Sequence, residues 1–455
     1  MRIFELALFS ISSLTFILLL ARIQKNCRLV RTLAFLLMGI FLTHFLVEGY
    51  RWQMIPTYFM AITTILIIYR KLSINQLQLR LKWKGITAFV VISVFSLILP
   101  VLFPVFSFTI PTGPYDVGRS SLHLTDYSRE ETFTEESGDY RELMVSISYP
   151  IDRASHHPSA SYIENAGTFL KAINKETGIP TFFLQYLKEI QTNGHENAAI
   201  AKGEESFPVI IFSHGFPGTR FMYTTLIEEV VSQGFVVISI DHSYHSSLTV
   251  FPDGKSAYLD DKIPSPLDLK AWDELIASVW GKDHQFILDF LEDLASDPFY
   301  KGKLDLERIG VMGHSFGGAT AFQTLIQDDR VKLGINMDGT FFGEKVRTDA
   351  QYKPFLWMTV DAGQISDQTE TPDKNTLKML GMTNEEFVTL SKELKNRKKQ
   401  FETYASDMVQ INGTHMSFSD YYLFSPYLAI SDKVNVHQQH QMISKNIVEF
   451  LKDNF

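Results

Sequence analysis

The chain has 455 residues, 45% hydrophobic and 20% charged, with one cysteine and a formal net charge of −9. Residues 1–110 hold 11 Lys and Arg against 2 Asp and Glu, whereas residues 111–455 hold 31 against 49. This excludes a disordered or collagen-like chain, the acidity of the larger part argues against nucleic acid as a partner, and the lone Cys27 rules out a disulfide within the chain.

Four uncharged apolar stretches come first, at 6–21, 32–47, 53–69 and from 85 through Pro100 and Pro104. A spanning helix needs about 20 residues. The first two runs fall short, but Glu5 and Arg22 bound one and Arg31 and Glu48 the other, and such side chains snorkel to the interfaces. All four are read as transmembrane helices, giving a membrane region over 1–110 and a second domain over 111–455. A cleaved signal peptide is the competing reading of the first run, yet Glu5 stands where a basic leader is expected and three more apolar runs follow. Arg22, Lys25, Arg28 and Arg31 follow the first span, and Arg70, Lys71, Arg80, Lys82 and Lys84 follow the third. These loops are expected in the cytoplasm, which puts the domain after the fourth span outside it. His44, inside the second span, is read as a packing or helix–helix hydrogen-bonding group rather than part of a proton path.

From residue 111 short apolar runs alternate with amphipathic stretches, the pattern of an α/β domain. Strands are expected at 143–149, 209–212, 235–240, 309–312, 333–337, 355–360 and 408–411. Helices are expected at 224–232, 272–295, 319–326, 385–404 and from about 436 to 452. Most of the strands lack polar alternation, as when helices cover both faces of a mostly parallel sheet. Residues 111–142 read as an ordered but irregular lead-in. An insertion at 180–190 opens with Pro180 and, at helical spacing, aligns Phe183, Tyr186, Leu187 and Ile190 as one apolar stripe, either packed on the core or laid on lipid.

Gly313-His314-Ser315-Phe316-Gly317 has the form G-x-S-x-G between an expected strand and an expected helix. That context is what a nucleophile elbow needs: a strained serine, flanking glycines that leave room for the crossing chain, and a helix N-terminus aimed at a developing oxyanion. A serine hydroxyl also needs a base, and the base an orienting acid. Three histidines follow Ser315. His437 and His440 fall on the terminal helix, whereas His415 lies in a loop directly after a strand, at the carboxyl edge of the sheet, and is taken as the base. Asp338 and Asp361 each end a strand at that edge and compete as the acid. A His214-Gly215-Phe216 turn follows an earlier buried strand, so the amides of Phe216 and Phe316 are the candidate oxyanion donors, with His214 packed beneath the loop. His242 and His245 with Asp241, and His437 with His440, have no further ligand cluster beside them, so no metal is expected, and a serine mechanism needs no cofactor.

These residues resemble the plasma and type II intracellular platelet-activating factor acetylhydrolases, calcium-independent serine phospholipases of the α/β-hydrolase fold. The resemblance is carried by Phe212-Ser213-His214-Gly215-Phe216, Gly234-Phe235-Val236-Val237, Gly313-His314-Ser315-Phe316-Gly317-Gly318 and Gly334-Ile335-Asn336-Met337-Asp338. It implies Ser315, Asp338 and His415 as the triad, favours Asp338 over Asp361, and implies that Phe183, Tyr186, Leu187 and Ile190 contact lipid. Two departures stand out. Gly339-Thr340 replaces an aromatic shortly after the acid, and the secreted relatives have no counterpart of the four spans. The expectation is a membrane-anchored serine esterase acting on acyl esters of phospholipids or related lipids. A broad carboxylesterase for envelope or polyester substrates, and a degenerate hydrolase serving as a membrane sensor or scaffold, are the alternatives.

Overall fold

A computed structural model of the chain describes residues 1–20, 27–74, 83–153, 157–203, 206–265, 267–344, 352–360, 377–378 and 381–455. The chain forms two compact units: one of Met1–Phe106, Ile179–Ile190 and Phe424–Leu428, the other of Ser107–Gly178, Gln191–Leu423 and Ala429–Phe455.

The first unit is built on α1 (Ile3–Leu20), α2 (Cys27–Val47), α3 (Ile55–Ile74) and α4 (Trp83–Leu102). Four stretches here are long and apolar enough to cross a membrane, Ile3–Leu20, Arg28–Val47, Trp52–Arg70 and Trp83–Leu102. Their polar residues are gathered inward. The Glu48 carboxylate at the end of α2 accepts the Phe4 and Glu5 amides at 2.9 and 3.0 Å, satisfying free N–H groups of the first turn of α1. Glu5, expected to snorkel outward, is instead fully buried and paired with Arg51 at 2.6 Å. Isolated charge is costly among apolar helices, so such groups pair with one another. His44 bonds Tyr58 of α3 at 2.7 Å and Glu48 at 3.0 Å, which is a helix–helix role.

The insertion belongs to this unit, and it is not one helix. α5 (Ala166–Thr177) precedes it, α6 covers only Thr181–Leu184, and Gln185–Glu189 continue as a 3₁₀ turn. Three residues per turn rather than 3.6 rotates successive side chains out of line, so the expected stripe is broken. Tyr186, Leu187 and Ile190 are buried, leaving Phe182 and Phe183 as the exposed pair, at 45% and 39%. The Trp52 indole N–H donates to the Phe183 carbonyl at 2.9 Å and its ring meets that of Phe183 at 5.0 Å. Arg2 reaches Glu189 at 3.2 Å.

The second unit is organised by a ten-stranded sheet. Its strands are β1 (Asp116–Glu130), β2 (Tyr140–Ile151), β3 (Ser159–Ser161), β4 (Gln191–Glu196), β5 (Phe207–Ser213), β6 (Val236–Asp241), β9 (Leu304–His314), β10 (Val331–Met337), β11 (Phe355–Val360) and β12 (Asp407–Ile411). Their order is β12-β11-β10-β9-β5-β6-β2-β1-β4-β3; β7 (Leu248–Val250) and β8 (Ser256–Tyr258) form a separate hairpin. The six strands from β12 to β6 are parallel, and β2 pairs antiparallel with both β6 and β1. The expected irregular lead-in is therefore mostly strand. β1 escapes notice in the sequence because it is rich in polar residues, which find partners in the fold: Ser120 with Tyr300 at 2.7 Å, Ser121 with Ser146 at 3.3 Å.

Successive residues of the parallel strands face opposite sides of the sheet. Ile211, Val311 and Trp357 join one core with Leu288 and Leu291 of α9 (Gly281–Ser296), Phe322 of α10 (Phe316–Gln327) and Phe401 of α11 (Asn384–Tyr404). Phe212, Met312 and Met358 join the other with Val230 of α7 (Thr224–Ser232) and Ile447 and Leu451 of α13 (Val436–Asn454). The helix expected over 272–295 is α8 (Leu269–Leu275) run into α9 through a π-helical turn at Ile276–Trp280. A short helix, α12 (Pro426–Ser431), precedes α13 in the chain. Helices on both faces of a mostly parallel sheet place the carboxyl ends of β5, β9, β10 and β12 along one edge, where ligands meet such folds.

Candidate active site

At that edge Ser315 stands between β9 and α10 with φ 54° and ψ −120°. A non-glycine residue holds such a backbone only when its surroundings impose it. They do so by contact. A Cβ on Gly313 would lie 2.1 Å from the Gly317 carbonyl oxygen, and one on Gly317 would lie 2.3 Å from the Ser213 carbonyl oxygen. Only glycine permits these crossings. The Ser315 amide donates to Met337 O at 2.8 Å, fastening the turn to β10.

Asp338 follows β10, also in the left-handed region at φ 56°. Its amide donates to Met358 O at 2.7 Å, and its Oδ1 accepts the Val360 amide at 3.4 Å. Its other oxygen, Oδ2, lies 2.7 Å from Nδ1 of His415. The carboxylate is sealed from solvent while the imidazole is about one-third exposed. An acid buried behind a base with an open face is the arrangement that orients a catalytic imidazole. Gly339 is required here, because a Cβ would lie 2.3 Å from the Ser315 carbonyl oxygen. Two residues after Thr340, the ring of Phe342 lies 5.8 Å from that of Phe316. Asp361, the rival acid, lies outside the described residues. His437 is exposed on α13, and His440 is buried there with its Nε2 3.2 Å from Ser419 O.

The loop after β5 runs directly against the elbow: a Cβ on Gly215 would lie 3.1 Å from the Ser315 Cβ. Phe216 follows it, and Phe316 opens α10, where the amide has no intrahelical acceptor. Their rings approach to 6.3 Å, and Trp272 and Trp280 close on Phe316 at 5.3 and 5.0 Å. The result is an aromatic wall beside the candidate oxyanion donors. His214 is buried beneath this loop on Ser246 at 2.8 Å, and burial lowers its basicity.

One group of residues was not read from the sequence. Ser213 Oγ lies 2.8 Å from Nε2 of His242, whose Nδ1 lies 2.9 Å from Asp283 Oδ2, a second serine, histidine and aspartate in catalytic order. All three are fully buried, and His284 also reaches Ser213 at 2.6 Å. Burial opposes the charge on Asp283, but Arg141 and Arg129 hold its carboxyl well below the usual range. With no surface for a substrate, this is a satisfied polar core at the loop after β5. Among the described residues no group of three side chains could hold a metal.

A mostly parallel sheet with helices on both faces and a strained serine between strand and helix defines an α/β-hydrolase. The fold matches that of a ferulic acid esterase from Streptomyces cinnamoneus at TM-score 0.57 and 23% identity, over 77% of this chain and 94% of that one. The family described as platelet-activating factor acetylhydrolase, isoform II, matches residues 105–273 and 275–455, and the chain belongs to it. Its relatives include a probable 1-alkyl-2-acetylglycerophosphocholine esterase of Arthroderma benhamiae, 28% identical over 52% of this chain. Platelet-activating factor acetylhydrolases of Cavia porcellus and Canis lupus familiaris are 26% and 29% identical over 58% and 50% of it. The chain spans 60%, 64% and 53% of the length of these three relatives.

Proposed function

We propose that the protein is a membrane-anchored serine esterase that hydrolyses acyl esters of phospholipids or related lipids, with residues 1–110 as its membrane region and 111–455 as its catalytic domain. The observation that carries this reading is the 2.7 Å pair of His415 and Asp338 at the sheet edge that also bears the Ser315 elbow. In this mechanism His415 takes the Ser315 proton as the hydroxyl attacks the ester carbonyl. The amides of Phe216 and Phe316 receive the oxyanion, and Asp338 stabilises the imidazolium. His415 then protonates the leaving alcohol, and water activated by the same base releases the acid. No cofactor takes part. The similarity to a probable 1-alkyl-2-acetylglycerophosphocholine esterase in Arthroderma benhamiae supports a lipid ester with a short acyl group. The aromatic wall of Trp272, Trp280 and Phe342 agrees with a confined acyl site.

The test is a panel of glycerophospholipid esters of increasing acyl length, set beside soluble polyester oligomers, with the purified full chain. Turnover that is greatest for short-acyl phospholipids is expected. Turnover confined to the polyester fragments would replace this reading with the broad carboxylesterase.

The basic loops give the catalytic domain an extracytoplasmic position, at the outer boundary of a cell membrane. In the same reading Phe182 and Phe183 rest in the headgroup region beside Trp52, since aromatic rings favour that boundary. Phe182→Asp with Phe183→Asp should lower hydrolysis of vesicle-borne lipid by about tenfold, on the order of the lost apolar burial, while hydrolysis of p-nitrophenyl acetate is unchanged. Equal loss on both substrates would mean that the pair supports the fold alone.

A further inference from the structure

His314, beside the candidate nucleophile, has no part in the mechanism above, yet both of its ring nitrogens are engaged. Its Nε2 is 2.9 Å from the carbonyl oxygen of His415, and its Nδ1 is 2.9 Å from the Tyr223 hydroxyl. That hydroxyl in turn receives the Gly215 amide at 2.9 Å.

The direction of each bond follows from donor chemistry. A carbonyl only accepts, so Nε2 of His314 carries a proton and donates. Burial, and the charge of His415 when protonated, push the His314 ring well below its ordinary basicity. The ring is therefore neutral and Nδ1 offers a lone pair. Tyr223 must donate its single proton to that lone pair, which leaves its oxygen to accept from Gly215. The order is thus fixed as Gly215 N–H to Tyr223, Tyr223 O–H to His314, and His314 N–H to His415 C=O.

We propose that Tyr223 and His314 are positioning residues of the esterase, a buried hydrogen-bonded tie that sets the oxyanion loop and the catalytic-base loop in register around Ser315. The proposal rests on the esterase reading above. The tie joins three segments that leave the sheet separately: the loop after β5, the end of β9 and the loop after β12. Its members have no solvent to replace a lost partner, since Tyr223 and His314 are 3% and 2% exposed. The close approach of Gly215 leaves no slack either, because a Cβ there would lie 2.9 Å from His314 Nδ1. Gly215 immediately precedes Phe216, whose amide is the candidate oxyanion donor, and the other end holds the peptide of His415 itself. A shift at either end moves a group that must meet the transition state within a fraction of an ångström.

Both rings also pack, Tyr223 on Phe212 at 4.8 Å and His314 on Phe418 at 5.7 Å, so the competing account is that they only fill core. Tyr223→Phe separates the two, because it keeps the ring and removes the hydroxyl. With the full chain in detergent and p-nitrophenyl acetate as substrate, kcat should fall about 10- to 100-fold with KM unchanged, the scale of a displaced catalytic group. His314→Gln, which retains an acceptor and a donor, should keep kcat within about fivefold of wild type, whereas His314→Phe should lose as much as Tyr223→Phe. Unchanged kcat in Tyr223→Phe overturns the tie. So does a loss in His314→Gln equal to that in His314→Phe and tracking the fall in melting temperature. These results leave the esterase reading standing, because the wild type remains active. A wild type inactive on every ester overturns that reading and the tie with it.

Discussion

Ser315→Ala, and separately His415→Ala, should lower ester hydrolysis by about six orders of magnitude and abolish labelling by a fluorophosphonate probe. The size of the effect follows from how the groups act together. A serine without its base remains protonated, and a base without its serine has nothing to activate. The double variant should therefore be no worse than either single one. Among the described residues neither group has a substitute at the elbow. Ser213 has its own histidine at 2.8 Å but is fully buried. His314 is closer to Ser315 in sequence than any other histidine, but both its nitrogens are already bonded. Folding should be spared, because alanine occupies the φ 54° turn with no more strain than serine does. Melting temperatures within a degree or two of wild type, with labelling lost, are the expected pair of results. Continued labelling of Ser315→Ala at some other serine would remove the elbow from the mechanism.

What the sequence disclosed about this site, and what it hid, divides along physical lines. β5, β9 and β10 are legible because helices cover both faces, so 209–212, 309–312 and 333–337 read as largely apolar runs without polar alternation; the observed strands all extend beyond them, β9 farthest, to Leu304–His314. Asp338 and His415 could be paired from sequence because each follows such a run, and parallel strands deliver their following residues to one edge. β1 was illegible because its polar residues are paid for by tertiary partners, which no local pattern reveals. The insertion was misjudged for the opposite reason. Phe183, Tyr186, Leu187 and Ile190 do have helical spacing, but apolar spacing alone does not separate an α-helix from a short turn entering a 3₁₀ segment. The tie of Gly215, Tyr223 and His314 and the core of Ser213, His242 and Asp283 were hidden more deeply. Each joins residues far apart in the chain, and only the geometry distinguishes the aspartate–histidine pair whose imidazole is partly open to solvent from the pair that is wholly buried.

Asp338→Asn should reduce kcat by about four orders of magnitude while leaving KM and melting temperature nearly unchanged. Asparagine suits the site in every respect but one. It tolerates the left-handed backbone found at φ 56°, and its carbonyl oxygen can still accept the Val360 amide. What it presents to His415 Nδ1, at the present 2.7 Å contact, is an amide that donates instead of a carboxylate that accepts. The imidazole then takes the tautomer with its proton on Nε2, facing the serine, and has no lone pair with which to remove the hydroxyl proton. The buried anion that stabilises the imidazolium is lost at the same time. Ser315→Ala removes the attacking atom; Asp338→Asn keeps it and reverses one proton, so slow labelling by fluorophosphonate should persist. Asp361→Asn, in the competing acid, should retain nearly full turnover. If Asp361→Asn were inactive and Asp338→Asn active, the orienting acid would be Asp361, and the 2.7 Å contact would be a structural hydrogen bond beside the catalytic one.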